Sequence, residues 1–267
     1  MATLNNSSDN VDFITAIGGV QPAALDTVII NKFATKYTGT MTVTNDLARM
    51  SFGKEYKGSI ESSNLIFTAN NTGAGIVEVR WSGTRLRLSA GGVANKHART
   101  IIAPNGNGIV EIYDTKHDEL FIMRGTTICN DTVDSDDVVQ VGGTLTLFTS
   151  GTHVTTSARI YGGDCTIQRQ VTTLEAGGSA TITFDNDAVA QGTLRLANDL
   201  TTVKGMGTVT YLYLYRGTLD LSGSSKPIVF TNYKLHEGSK VILPTGWANP
   251  FTDTTKFVGK GPEFVGG

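Results

Sequence analysis

The sequence is short of charge, of cysteine and of long apolar runs, and each shortage removes a class of protein. Of 267 residues only 22 are basic and 24 acidic, scattered in ones and twos, with a formal net charge of −2. No basic field exists to draw in nucleic acid or an anionic membrane surface, so neither is expected as a partner. No stretch approaches the roughly 20 apolar residues of a membrane-spanning helix. The start, Met1-Ala2-Thr3-Leu4-Asn5-Asn6, lacks the basic and apolar regions of a secretory signal, so the chain is expected to stay where it is made. The two cysteines, Cys129 and Cys165, show neither a CxxC spacing nor a cluster of histidines beside them. They read as buried, reduced thiols within strands, and no disulfide scaffold or zinc site is expected. A GxSxG elbow, a phosphate-binding loop, a dinucleotide fingerprint and HExxH are all missing.

What the chain does have is 31 glycines and a high density of threonine, valine, isoleucine and leucine. That is strand-and-turn composition. A short phrase, a glycine step followed by alternating residues, returns many times. It reads Gly142-Gly143-Thr144-Leu145-Thr146-Leu147, Gly162-Gly163-Asp164-Cys165-Thr166-Ile167 and Gly177-Gly178-Ser179-Ala180-Thr181-Ile182. It continues as Gln191-Gly192-Thr193-Leu194-Arg195-Leu196, Arg216-Gly217-Thr218-Leu219-Asp220-Leu221 and Glu237-Gly238-Ser239-Lys240-Val241-Ile242. The second-position glycines, 143, 163, 178, 192, 217 and 238, are 20, 15, 14, 25 and 21 residues apart. Weaker echoes stand at Ser82-Gly83-Thr84 and Arg124-Gly125-Thr126. A second phrase often precedes the glycine step, as in Val171-Thr172-Thr173-Leu174-Glu175-Ala176 and Val209-Thr210-Tyr211-Leu212-Tyr213-Leu214.

Alternation puts Leu145 and Leu147 on one face and Thr144 and Thr146 on the other. One such unit cannot bury its oily face, whereas coil stacked on coil closes a continuous core. The expected fold is therefore all-β, a right-handed parallel β-helix (β-solenoid) with an irregular N-terminal cap and a C-terminal tail. Residues 1–30 read as arm and cap, 31–244 as solenoid body and 245–267 as tail. At about 20 residues per coil the body holds on the order of ten coils. The competing fold is an antiparallel sandwich, whose strands have no reason to repeat one another's corner chemistry.

The charged and aromatic residues offer few candidates for chemistry. Asp131, Asp134, Asp136 and Asp137 form the densest acidic run and read as a solvated loop between coils. Asp185-Asn186-Asp187 resembles a fragment of a calcium loop without its regular ligand spacing or closing glutamate. His97, His117, His153 and His236 are spread apart and read as surface or corner residues. No catalytic residue, metal site or cofactor is expected. Tyr211, Tyr213 and Tyr215 alternate with Leu212 and Leu214, so they should form an aromatic stripe on one face, suited to a sugar or a flat partner surface. Trp247, Phe251, Phe257 and Phe264 stand where the repeat has ended. They either fold back over the last coil or contact a neighbouring subunit.

The segment Val209–Leu221, followed by Phe230–Ile242, resembles the β-helix virion structural proteins of tailed bacteriophages, of head-decoration, cement or fibre type. Tyr37-Thr38-Gly39-Thr40-Met41 is similar to the phrase that opens the helix in that family. The resemblance covers residues 25–245 in style, with irregular coils between about 45 and 120. It implies a non-enzymatic virion protein, first a capsid decorator or cement, made in the host cytoplasm and assembled as a homotrimer against the major capsid protein or another virion protein. Its alternative is a tail fibre or spike that binds host glycan, and after that a polysaccharide depolymerase.

Overall fold

In a computed structural model of the protein, residues 96–149 and 153–266 are described continuously, and before them the segments 2–5, 27–32, 36–37, 41–43, 49–53, 59–60, 65–67, 75–80 and 85–89. The Gly18-Gly19 and Pro22 of the expected cap, the Ser82-Gly83-Thr84 echo and residues 38–40 of the Tyr37–Met41 phrase lie outside the described residues. Strands carry nearly all of the described regular structure; a single 3-10 turn, Thr254–Lys256, interrupts them. The chain forms two compact units, Met1–Asp137 and Val138–Gly267.

In the second unit one ladder is built from Thr144–Leu147, Asp164–Ile167, the later halves of Val171–Asn186 and Gln191–Met206, then Gly217–Asp220, Ser239–Leu243 and Glu263–Gly266. Every pairing in it is parallel, with Thr144, Asp164, Thr181, Leu200, Thr218, Lys240 and Glu263 in register. The steps are 20, 17, 19, 18, 22 and 23 residues, one coil each. The next position along makes an inward column: Leu145, Cys165, Ile182, Thr201, Leu219, Val241 and Phe264. All but the last are buried. An antiparallel sandwich cannot produce this register, so the chain is a β-solenoid.

The second ladder holds Thr155–Ile160, the first halves of the two 16-residue strands, Val209–Leu214, Phe230–His236 and Phe257–Val258. Its inward residues do not alternate simply. They follow a spacing of three and then two: Val171, Leu174 and Ala176; Gln191, Leu194 and Leu196; Val209, Leu212 and Leu214. Two outward residues in a row mark a bend, so the strand turns a corner without leaving its ladder.

The first unit is likewise built on two parallel ladders. One contains Ala2–Asn5, Thr27–Lys32, Arg49–Phe52, Ile76–Val79, Lys96–Ile102 and Thr115–Ile122. The other contains Met41–Val43, Leu65–Phe67, Arg85–Ser89, Ile109–Tyr113 and Thr126–Cys129. Where the sequence reads as irregular, the described strands between 76 and 122 keep parallel register. Their outer faces carry ion pairs in place of threonine, which hides the repeat. Glu78 accepts hydrogen bonds from Arg49 and Arg80, and Glu111 from Arg85, Arg87 and Tyr113.

The glycine corners are largely where the repeat puts them. Gly125, Gly143, Gly163, Gly178, Gly217 and Gly238 all have φ between +61° and +83°, the left-handed region that glycine enters without strain. Gly192 is a correction. It follows Gln191 inside a strand of the other ladder and has no such φ; a Cβ there would meet the Thr172 carbonyl oxygen at 2.1 Å. The residue paired with Gly178 is Asn198. With Asn198 as the corner, the uneven steps of 14 and 25 residues become 20 and 19. An asparagine serves because its buried amide donates to the carbonyls of Ala180 at 3.1 Å and Leu200 at 2.7 Å and so satisfies the bent backbone.

Candidate functional site

The tyrosine stripe forms as the alternation requires. Leu212 and Leu214 are buried, and Tyr211, Tyr213 and Tyr215 face out. Tyr211 and Tyr215 are 43% and 41% exposed, among the most exposed large hydrophobic side chains described. Tyr213 and Tyr215 stack almost parallel, with centroids 6.3 Å apart, and Tyr215 leans on His236 at 4.9 Å. The guanidinium of Arg195, one coil earlier in the same register, lies 5.8 Å from the Tyr213 ring centre.

The next rung completes a site. Tyr211 is paired with Asn232, Leu212 with Tyr233 and Tyr213 with Lys234. The tail then crosses this face at the 3-10 turn, whose N-cap Asp253 accepts from the Thr255 amide. A cleft of about 350 Å³ results, lined by Tyr211, Tyr213, Asn232, Tyr233, Lys234 and Lys256, with Leu212 and Thr255. Lys256 sits with its ammonium 4.9 Å from the Tyr233 ring centre and 3.8 Å from Asp253 Oδ2. The Tyr233 hydroxyl accepts from the Asp253 amide at 2.7 Å, which ties the tail to the rung beneath. Hydrogen bonds from Thr255 hold the Asp253 carboxyl below its ordinary range, so it stays an anion beside Lys256.

Tyr211 and Tyr213 thus line the cleft, while Tyr215 stands beside it. Asn232, Tyr233 and Lys234 were legible as one coil on from the stripe, since Phe230-Thr231-Asn232-Tyr233-Lys234-Leu235 repeats the pattern of Val209–Leu214. Lys256 was not, because it arrives on the tail.

The tail aromatics fold back on their own chain. Phe251 is 2% exposed and touches Phe230 at 4.8 Å, Tyr233 edge-on at 5.1 Å and Phe264 at 6.2 Å. Phe257 joins Phe264 at 6.0 Å, and both strands that carry them extend the ladders. Trp247 is half-buried in the turn that follows Pro244, outside this cluster. The tail is therefore a further coil with its own small core.

Two other readings change. His97 and His117 are not surface or corner residues but are wholly buried and face inward on neighbouring coils. Asp134, Asp136 and Asp137 lie in the strand Val133–Gln140 and not in a loop, with Asp136 at 3.1 Å from the Lys116 ammonium. Among the described residues no three His, Cys, Asp or Glu side chains come together as a metal site. Asn186 is occupied structurally: its amide donates to the Gln168 carbonyl at 2.8 Å and its Oδ1 accepts from the Ala188 amide. Cys129 and Cys165 are both buried. No helix among the described residues is long and apolar enough to cross a membrane.

No protein-family model, curated protein or solved structure matches the chain.

Proposed function

We propose that the chain is a non-enzymatic structural component of a tailed-phage particle, decorating or cementing the capsid against the major capsid protein or a neighbouring virion protein. The observation that carries this reading is the stacking of the two resembling segments: Val209–Leu214 pairs with Phe230–His236, and Gly217–Asp220 with Ser239–Leu243, as successive coils of one core. Such a body is stiff, because each coil is held by backbone hydrogen bonds to its neighbours along two ladders. A decorator needs that stiffness to bridge subunits. Assembly as a homotrimer and location on the virion follow from the same resemblance.

A second reading, a fibre or spike that recognises host glycan, is favoured by the Tyr211–Lys256 cleft. Purified protein mixed with empty capsids and, separately, with host cells distinguishes the two. Co-sedimentation with capsids supports decoration, and cell binding alone supports adhesion. Binding to neither overturns both. Sedimentation equilibrium tests the trimer, and a fall in viscosity of host capsule would replace both readings with a depolymerase.

A further inference from the structure

We infer that the cleft between the Val209–Leu214 rung, the Phe230–His236 rung and the 3-10 turn is a binding site for acidic saccharides, carbohydrate chains that carry carboxylates. The inference rests on the recognition reading of this face and sharpens it to a ligand class.

Four residues of the lining carry it. Tyr211 offers an open platform. It is 43% exposed, and no other ring packs on it among the described residues, in contrast to Tyr213, which is stacked on Tyr215, and Tyr233, which is edge-on to Phe251. A tyrosine face of this kind takes the apolar C–H face of a pyranose ring while its hydroxyl stays in water. Lys234 is exposed and makes no ion pair among the described residues, so its ammonium is unneutralised, and it lies two residue pairs from Tyr211 in the rung register, opposite Tyr213. Lys256 supplies a second cation, held in place by Asp253 and by the face of Tyr233. Of the two ammonium groups in the lining, that of Lys256 is paired with Asp253, so Lys234 carries the positive charge left for a ligand. Asn232, opposite Tyr211, adds an amide that both donates and accepts, which suits sugar hydroxyls.

The charge pattern separates this ligand from its rivals. A neutral glycan would leave Lys234 without a counter-charge. Single-stranded nucleic acid also stacks on aromatic rings, but it needs a basic track along its phosphates, and the outer column leading to Lys234 runs Arg159, Glu175, Arg195 and Tyr213, with signs alternating.

The test is affinity electrophoresis of the full chain in gels containing polygalacturonate, hyaluronate or polysialic acid, with neutral dextran and a twelve-residue oligothymidylate as comparison probes. At least one acidic polymer should retard the protein while dextran does not. Tyr211→Ala and Lys234→Gln should each weaken that retardation about three- to tenfold with an unchanged melting temperature. Retardation by dextran to the same degree overturns the acidic class but leaves glycan recognition standing. No retardation by any of the polymers overturns both. Binding to oligothymidylate in place of the acidic polymers assigns the cleft to nucleic acid, and variants that bind like the parent place the site elsewhere.

Discussion

His97 and His117 meet edge to face on neighbouring coils, their ring centroids 5.4 Å apart and their planes at 61°, with neither side chain reaching solvent. Both occupy the inward position before the bend, the place that Val171 and Val209 hold in their own coils. Thr100 Oγ1 is 2.9 Å from His117 Nδ1. Burial lowers the His97 pKa from 6.5 to about 4, and burial together with the neighbouring His97 brings His117 well below its ordinary value. The folded protein holds both rings neutral, while the unfolded chain protonates them near 6.5. Stability is therefore full above pH 6.5 and declines as the pH falls toward about 4, His97 alone accounting for on the order of 3 kcal/mol. Denaturant midpoints measured from pH 7.5 to 5 should fall with acidification, and the double variant His97→Leu, His117→Leu should flatten that slope. An equal slope in the variant would show that other groups set the pH response.

A second acid-sensitive feature acts at lower pH. Burial raises the pKa of Glu111, but hydrogen bonds from Arg85, Tyr113 and Arg87 outweigh it, and the net pKa lies below the ordinary 4.5. Its contribution is present above 4.5 and is lost as the pH falls through the depressed value, below most of the histidine window. Glu111→Gln leaves two guanidinium groups without their anion. Because both reach solvent, the cost should be modest, about 1–2 kcal/mol by denaturant unfolding at pH 7.

Gly217 and Gly238 separate the two costs of filling a corner. Both are left-handed, at φ 79° and 83°. A Cβ on Gly217 would lie 1.8 Å from the Asn198 carbonyl oxygen, whereas one on Gly238 meets nothing within 4 Å. Gly238→Ala should cost about 1–2 kcal/mol, the backbone penalty alone. Gly217→Ala should cost clearly more, since the coil below must also move. Equal losses in thermal or denaturant unfolding would mean that coil spacing yields freely.

The contrast between these corners shows what the sequence makes legible. Glycines at a coil's spacing, with Leu-x-Leu beside them, disclose the winding because each is a local demand of the backbone and the core. Gly192 misleads because its glycine answers a different need, the close approach of the Thr172 carbonyl, and Asn198 escapes notice because an amide does a glycine's work. The histidines escape for a related reason: an inward histidine contradicts the apolar pattern. Their signal was nevertheless there, in Lys96-His97 and Lys116-His117 standing one coil of 20 residues apart. The stripe of Tyr211, Tyr213 and Tyr215 follows from alternation alone. The cleft does not, because Lys256 comes from a tail whose path no repeat dictates.

That tail provides the last prediction. Phe251 is enclosed by Phe230, Tyr233 and Phe264, so its ring fixes the tail against the preceding coil and holds the 3-10 turn over Tyr233. Phe251→Ala removes a fully packed ring and should destabilise the second unit by about 3–5 kcal/mol. Because Lys256 is carried on the same segment, the substitution should also loosen the cleft, visible as faster hydrogen exchange at the Asp253 and Thr255 amides, which donate to Tyr233 Oη and Asp253 Oδ1. Trp247→Ala, at a half-buried position outside the ring cluster, should leave those amides as protected as in the parent. If both variants exchange alike, the tail is held by its backbone pairing, Leu235 with Phe257 and Val241 with Phe264, and the aromatic core is secondary to it.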